Sequence, residues 1–88
     1  LAQNYPNPFN LKTNINYILS VASGTKLTIY DLLGKRVKTL VDEYQMPGYK
    51  SFDWDATDDK GNIVSSGIYF YQLQAEGSTQ TKKMLLLK

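Results

Sequence analysis

Apolar residues recur at every second position along most of this chain, and that spacing decides what it can fold into. Successive side chains of a β-strand point to opposite faces, so residues two apart line one face. Ile15, Tyr17 and Leu19 fit one such face, Leu27 and Ile29 a second, and Phe52 and Trp54 a fourth strand. Val37, Thr39 and Val41 fit a third, with Leu40 opposite. Ile63-Val64 suits a short fifth strand, and residues 68–75 and 80–87 complete the set. Turn signals separate these runs: Leu32-Leu33-Gly34-Lys35, where Gly34 is free to take φ > 0, then Pro47-Gly48, Asp58 to Asn62, and Glu76-Gly77-Ser78. No window sustains the i, i+3, i+4 spacing of a helix, and residues 42–46 suit a single helical turn at most. About seven short strands at intervals of roughly 8–12 residues predict an all-β antiparallel sandwich.

Eighty-eight residues make one domain. A chain this short buries only about 60–65% of its unfolded surface, so large side chains must fill a thin core. Trp54, three Phe and seven Tyr are available. Fully burying one such ring removes roughly 150–250 Å² from water, worth at most about 4–6 kcal/mol. Trp54, alternating with Asp53 and Asp55, is expected between the two sheets. Of the consecutive Tyr69-Phe70-Tyr71, Phe70 is expected inward and at least one tyrosine at the rim. A sugar-stacking platform on these rings is the weaker reading.

The chain holds no cysteine and no histidine. Disulfides, thiol catalysis and Cys-ligated zinc are thereby excluded, and the usual general base and commonest metal ligand are missing. Ser65 and Ser66 have no histidine to activate them, so the domain is expected to be non-catalytic and to need no cofactor. A disulfide-free small domain suits a bacterial module that folds by packing alone. The net charge of +2 is spread over both signs, which argues against a nucleic-acid partner. The longest aliphatic run, Met84 to Leu87, is far too short for a helical membrane span. The chain opens on Leu1 without a signal-peptide pattern, and we expect a piece from the end of a longer protein.

The opening Asn4-Tyr5-Pro6-Asn7-Pro8-Phe9-Asn10 cannot form a helix or a central strand, because two prolines hold it extended and remove backbone donors. Residues 1–12 therefore read as a lead-in and residues 13–88 as the sandwich. Asp53, Asp55, Asp58 and Asp59 form the one acidic cluster. A calcium loop counted from Asp53 would want Gly at its sixth position and Glu at its twelfth, where Asp58 and Val64 stand. A strand end and an Asp-capped turn explain the cluster better. Lys82-Lys83-Met84-Leu85-Leu86-Leu87-Lys88 suits a last strand, with Met84 and Leu86 on one face and Leu85 and Leu87 on the other. Apolar residues on both faces exceed what an edge strand needs, and exposed apolar edges are usually avoided, so a covering partner is expected.

Several motifs, in order, resemble the type A C-terminal sorting domains of the type IX (Por) secretion system. They are the lead-in Asn4 to Asn10; Leu27-Thr28-Ile29-Tyr30-Asp31-Leu32-Leu33-Gly34-Lys35-Arg36-Val37; Trp54-Asp55 with Asp58, Gly61 and Val64; Ser66-Gly67-Ile68-Tyr69-Phe70-Tyr71; and the close from Lys82 to Lys88. The pattern is shared with the immunoglobulin-like domain of flagellar hook-capping proteins. Leu11 stands where the family often has a second Asn-Pro proline. Ala56 replaces its usual glycine, so that backbone position is expected not to need φ > 0. The resemblance implies an immunoglobulin-like β-sandwich that carries an upstream cargo domain of the same polypeptide through the periplasm and across the bacterial outer membrane to the surface or medium. The implied partners are the outer-membrane translocon and a surface sortase-like protease acting in or before the lead-in. The implied sorting signal is Lys82, Lys83, Met84, Leu85, Leu86, Leu87 and Lys88, supported by Gly67 and Tyr69. The rival expectation is an immunoglobulin-like spacer of an appendage, or an accessory carbohydrate-binding module of a secreted protein.

Overall fold

A computed structural model describes all of residues 1–88, and six strands account for its regular structure. They are β1 (Thr13–Leu19), β2 (Ser23–Asp31), β3 (Arg36–Gln45), β4 (Gly48–Trp54), β5 (Gly67–Ala75) and β6 (Ser78–Leu86). β1 and β4 pair antiparallel as a small sheet. The other four pair antiparallel in the order β3-β2-β5-β6. The fold is thus the all-β antiparallel sandwich that the alternation predicts, with six strands for the expected seven. Ile63 makes only an isolated bridge to Thr57, because Ala56 beside it has φ of 62° and takes that arm out of the extended conformation a ladder needs.

The core forms where the alternating faces meet. Ile15, Tyr17 and Leu19 face Leu27, Ile29, Tyr71, Leu73, Met84 and Leu86, all buried. Trp54 is fully buried among them. Its ring meets Tyr69 edge-on at 5.3 Å and tilts against Phe9 at 5.7 Å. Tilted and edge-on ring pairs are favoured, and they add about 0.5–1.5 kcal/mol each beyond area burial. The indole N–H donates to the carbonyl of Thr57 at 2.9 Å, so burial strands no donor.

Three local expectations change. In β3, pairing with β2 skips Leu40 and then Val37, two bulges that break the strict alternation. Val37, Leu40 and Val41 can therefore all pack on the core, although only Val37 and Val41 are an even number of residues apart. Residues 42–45 are not a helical turn but the continuation of β3, paired with Ser23 to Lys26. Gln45 there is buried and accepts a 2.7 Å bond from the Tyr17 hydroxyl. On β5 it is Tyr69 and Tyr71 that point inward, while Phe70 faces out, half-buried. Each inward hydroxyl has a partner: Tyr69 donates to the Ser65 carbonyl at 2.6 Å, and Tyr71 donates to that of Ala2 at 2.8 Å. Burial pushes the Tyr71 hydroxyl above its ordinary pKa, against the opposing effect of the Asn4 N–H that it also accepts.

The opening segment packs against the sandwich and bridges its two sheets. Ala2 N–H donates to Asn16 O, and Tyr5 exchanges backbone bonds with Asn14, which covers the free edge of β1. The chain then crosses over at Pro6 and Pro8, each after a cis bond. Phe9 N–H donates to Leu85 O on the free edge of β6, and Phe9 O accepts from Leu87 N–H just past the end of that strand. The Phe9 side chain is buried against Trp54. Proline cannot donate to a ladder, so the two prolines suit a segment that changes sheets.

Candidate functional site

Asp58 and Asp59 of the acidic cluster accept backbone N–H groups, and each of its four carboxylates has its own local task. Asp58 accepts from the N–H groups of Lys60 and Asn62, both at 2.9 Å, and closes the turn. Asp59 accepts from Thr39 N–H and pairs with Arg36, pinning the turn to the edge of β3. Asp53 accepts from Asn14 and pairs with Lys12. The hydroxyl of Thr57 holds the Asp55 carboxyl below its usual range, with further help from Lys38. Ala56, between them, has φ of 62° and is buried. This corrects the expectation drawn from its glycine counterpart: the position is left-handed, and alanine occupies it under strain. Of the two serines, Ser66 accepts from the backbone N–H of Lys88 at 2.9 Å.

The residues singled out as a sorting signal come together at one corner. Gly67 pairs with Leu86, Tyr69 with Met84, and Lys82 and Lys83 with Tyr71 and Phe70. Met84 and Leu86 are buried, so they belong to the core. Leu85 is half-buried, Leu87 is 52% exposed and Lys88 is exposed. The Lys88 ammonium bonds to the carbonyl of Val64. Lys83 is exposed, Lys82 half-buried, and neither enters an ion pair.

Sequence reasoning missed the strap that lies over this corner. Gln3 donates its side-chain amide to Lys83 O at 2.9 Å. Asn7 accepts from Leu85 N–H at 3.0 Å through its side chain. With Phe9, these residues occupy the outward backbone groups from Lys83 O to Leu87 N–H. The apolar end of the terminal strand, expected to await a partner, is therefore already paired along its edge by the chain's own lead-in. The signal lies in Gln3 and Asn7, whose side-chain amides bond the strand edge from a segment interrupted by Pro6 and Pro8.

The sequence model of the FlgD Ig-like domain family matches residues 10–80. This chain belongs to that family. Its fold is that of FlgD from P. aeruginosa, with a TM-score of 0.65 and 29% identity over 85% of this chain and 60% of that one. It is also similar to PorU of Porphyromonas gingivalis, solved in a dimeric latent form, with a TM-score of 0.74 and 23% identity over 97% of this chain. PorZ, an essential bacterial surface component of the type-IX secretion system of the same organism, gives a TM-score of 0.70 and 19% identity over 98% of this chain. The Ig-like domain spans only 9% of that PorU chain and 11% of that PorZ chain. No curated protein matches the chain.

Proposed function

We propose that this FlgD-family Ig-like domain is a non-catalytic sorting domain that directs an upstream cargo across the bacterial outer membrane. The observation that carries the reading is coverage. The family match ends at residue 80 and omits residues 1–9. The likeness in fold to PorU and PorZ extends over 97% and 98% of the chain, taking in the strap and the terminal strand. Those two segments carry two of the five ordered motifs that resemble sorting domains, and the strap bonds ladder them together. A secreted or surface destination accords with the likeness to a surface component. The translocon and a surface protease are the partners this reading requires. The absence of histidine and cysteine from the sequence supports a role without chemistry.

The likeness to FlgD favours a second reading, an Ig-like structural spacer. Fusion of residues 1–88 to a periplasmic reporter separates the two. In a bacterium with a type IX system, the sorting reading expects reporter at the surface or in the medium. Deleting Lys82 to Lys88 would remove the buried Met84 and Leu86 and unfold the sandwich, so the informative variant is Lys82→Glu/Lys83→Glu, checked for folding. A folded double variant exported as well as the parent would move the signal elsewhere. A parent fusion that stays periplasmic would favour the spacer.

A further inference from the structure

The strap covers only half of the β6 edge. In an antiparallel strand the N–H and C=O of one residue point to the same side, and the sides alternate along the strand. Lys83 O, Leu85 N–H and O, and Leu87 N–H all bond to the strap, so the odd-numbered residues face outward. The outward groups of Thr79 and Thr81, and the N–H of Lys83, have no partner in strand, strap or side chain. They make a hydrogen-bonding ladder about 14 Å long, at roughly 3.4 Å per residue.

This open ladder has a one-sided charge. Lys82 lies toward the inner rim and Lys83 on the outer face, so the two lysines straddle the edge. No acidic residue occurs between Leu1 and Tyr30 or between Gly77 and Lys88. The ion pairs of the molecule use Lys12, Arg36 and Lys38 instead. The neighbouring strap offers amides and carbonyls but no counter-charge. A second copy adding through the same edge would crowd both lysine pairs onto one short ladder, so self-pairing is disfavoured.

We propose that the Thr79 to Lys83 edge of β6 receives an extended protein segment that carries carboxylates, adding as an antiparallel strand beside the strap. The inference rests on the sorting reading and deepens it by naming the partner's chemistry. Main-chain bonds to Thr79, Thr81 and Lys83 supply the affinity, and carboxylates at adjacent partner positions meet Lys82 on one face and Lys83 on the other. It also moves the docking point from the apolar residues 84–87 to the polar stretch before them.

The test uses residues 1–88 and a fluorescent peptide of alternating valine and threonine with two adjacent central glutamates. Binding is read by polarisation and by amide shifts in NMR spectra. The proposal expects shifts at Thr79, Thr81 and Lys83, and about tenfold weaker binding when the glutamates become glutamines, two charge pairs being lost. Thr81→Pro removes an outward N–H that β5 does not use, so the fold survives and binding is lost. Binding that persists in folded Thr81→Pro, or that shifts the 84–87 amides and leaves Thr79 to Lys83 unmoved, overturns the proposal. So does the absence of any shift at about 1 mM peptide, where even weak recognition registers. Export separates the two levels. If the reporter fusion is exported and needs Lys82 and Lys83 but no acidic peptide binds, the sorting reading stands and this inference falls.

Discussion

At the scale of single residues, Trp54 and Ala56 carry opposite lessons. Trp54 was legible from the sequence, because a large ring alternating with two aspartates has only one dry face to enter. Its contacts with Phe9 and Tyr69 join strap, small sheet and large sheet at one point. Trp54→Ala should cost about 3–5 kcal/mol, most of the stability of a domain this small, read as a fall in urea midpoint. A variant that melts within a few degrees of wild type would refute that role. The conformation at Ala56 is not legible in the sequence, because a missing glycine says nothing about the backbone angle the fold imposes. Left-handed alanine costs roughly 1–2 kcal/mol, yet its buried methyl returns about 0.8 kcal/mol. Glycine also costs about 0.4–1 kcal/mol more chain entropy on folding. Ala56→Gly should therefore lie within about 1 kcal/mol of wild type by chemical denaturation, since these effects nearly cancel. A loss of more than about 2 kcal/mol would show that the strain is relieved in some other way.

At the scale of elements, strands and turns were legible and edges were not. Alternation identifies a strand and its buried face, but it is blind to bulges, so it ends β3 early and turns Leu40 away from the core. Backbone pairing by a proline-rich segment leaves no periodic trace, so the strap read as a passive lead-in. Replacing Phe9 with alanine should cost about 3–5 kcal/mol and speed amide exchange at Leu85 and Leu87, the latter bonded to the Phe9 carbonyl. Unchanged exchange at Leu87 would mean that the strap does not hold the strand. The Glu76-Gly77 turn, with φ of 55° and 73°, carries a second device. The Glu76 carboxylate accepts from Val21 N–H, and from the hydroxyl and N–H of Ser20, which together hold its pKa below the ordinary glutamate range. Its folded pKa is thus lower than its unfolded one. The stabilisation is present above the unfolded value and fades as pH falls through the folded one. The Ser20 and Val21 amide resonances should shift together in that acidic window, and Glu76→Gln should abolish the shift. Resonances that titrate at the ordinary glutamate pKa would contradict the contact.

At the scale of the molecule, one strap and one terminal strand convert a common sandwich into a unit whose two ends are laddered together. Composition excluded the chemistry of cysteine and histidine, and motif order pointed to sorting, but the covered and open halves of the β6 edge emerged only from the folded chain. Asp53, Asp55 and Asp59 are ion-paired on β4 and the turn after it, while Lys82 and Lys83 stand unpaired on the edge strand β6. No helix long and apolar enough to cross a membrane is present. On the proposed sorting role, the domain itself is an address and not a spacer. The most direct measurement is the exported fraction of one periplasmic reporter carrying either residues 1–88 or, at the same junction, the Ig-like domain of FlgD from P. aeruginosa. A sorting role puts the first fusion at the surface or in the medium and leaves the second in the periplasm. Retention of both, or export of both alike, would contradict it.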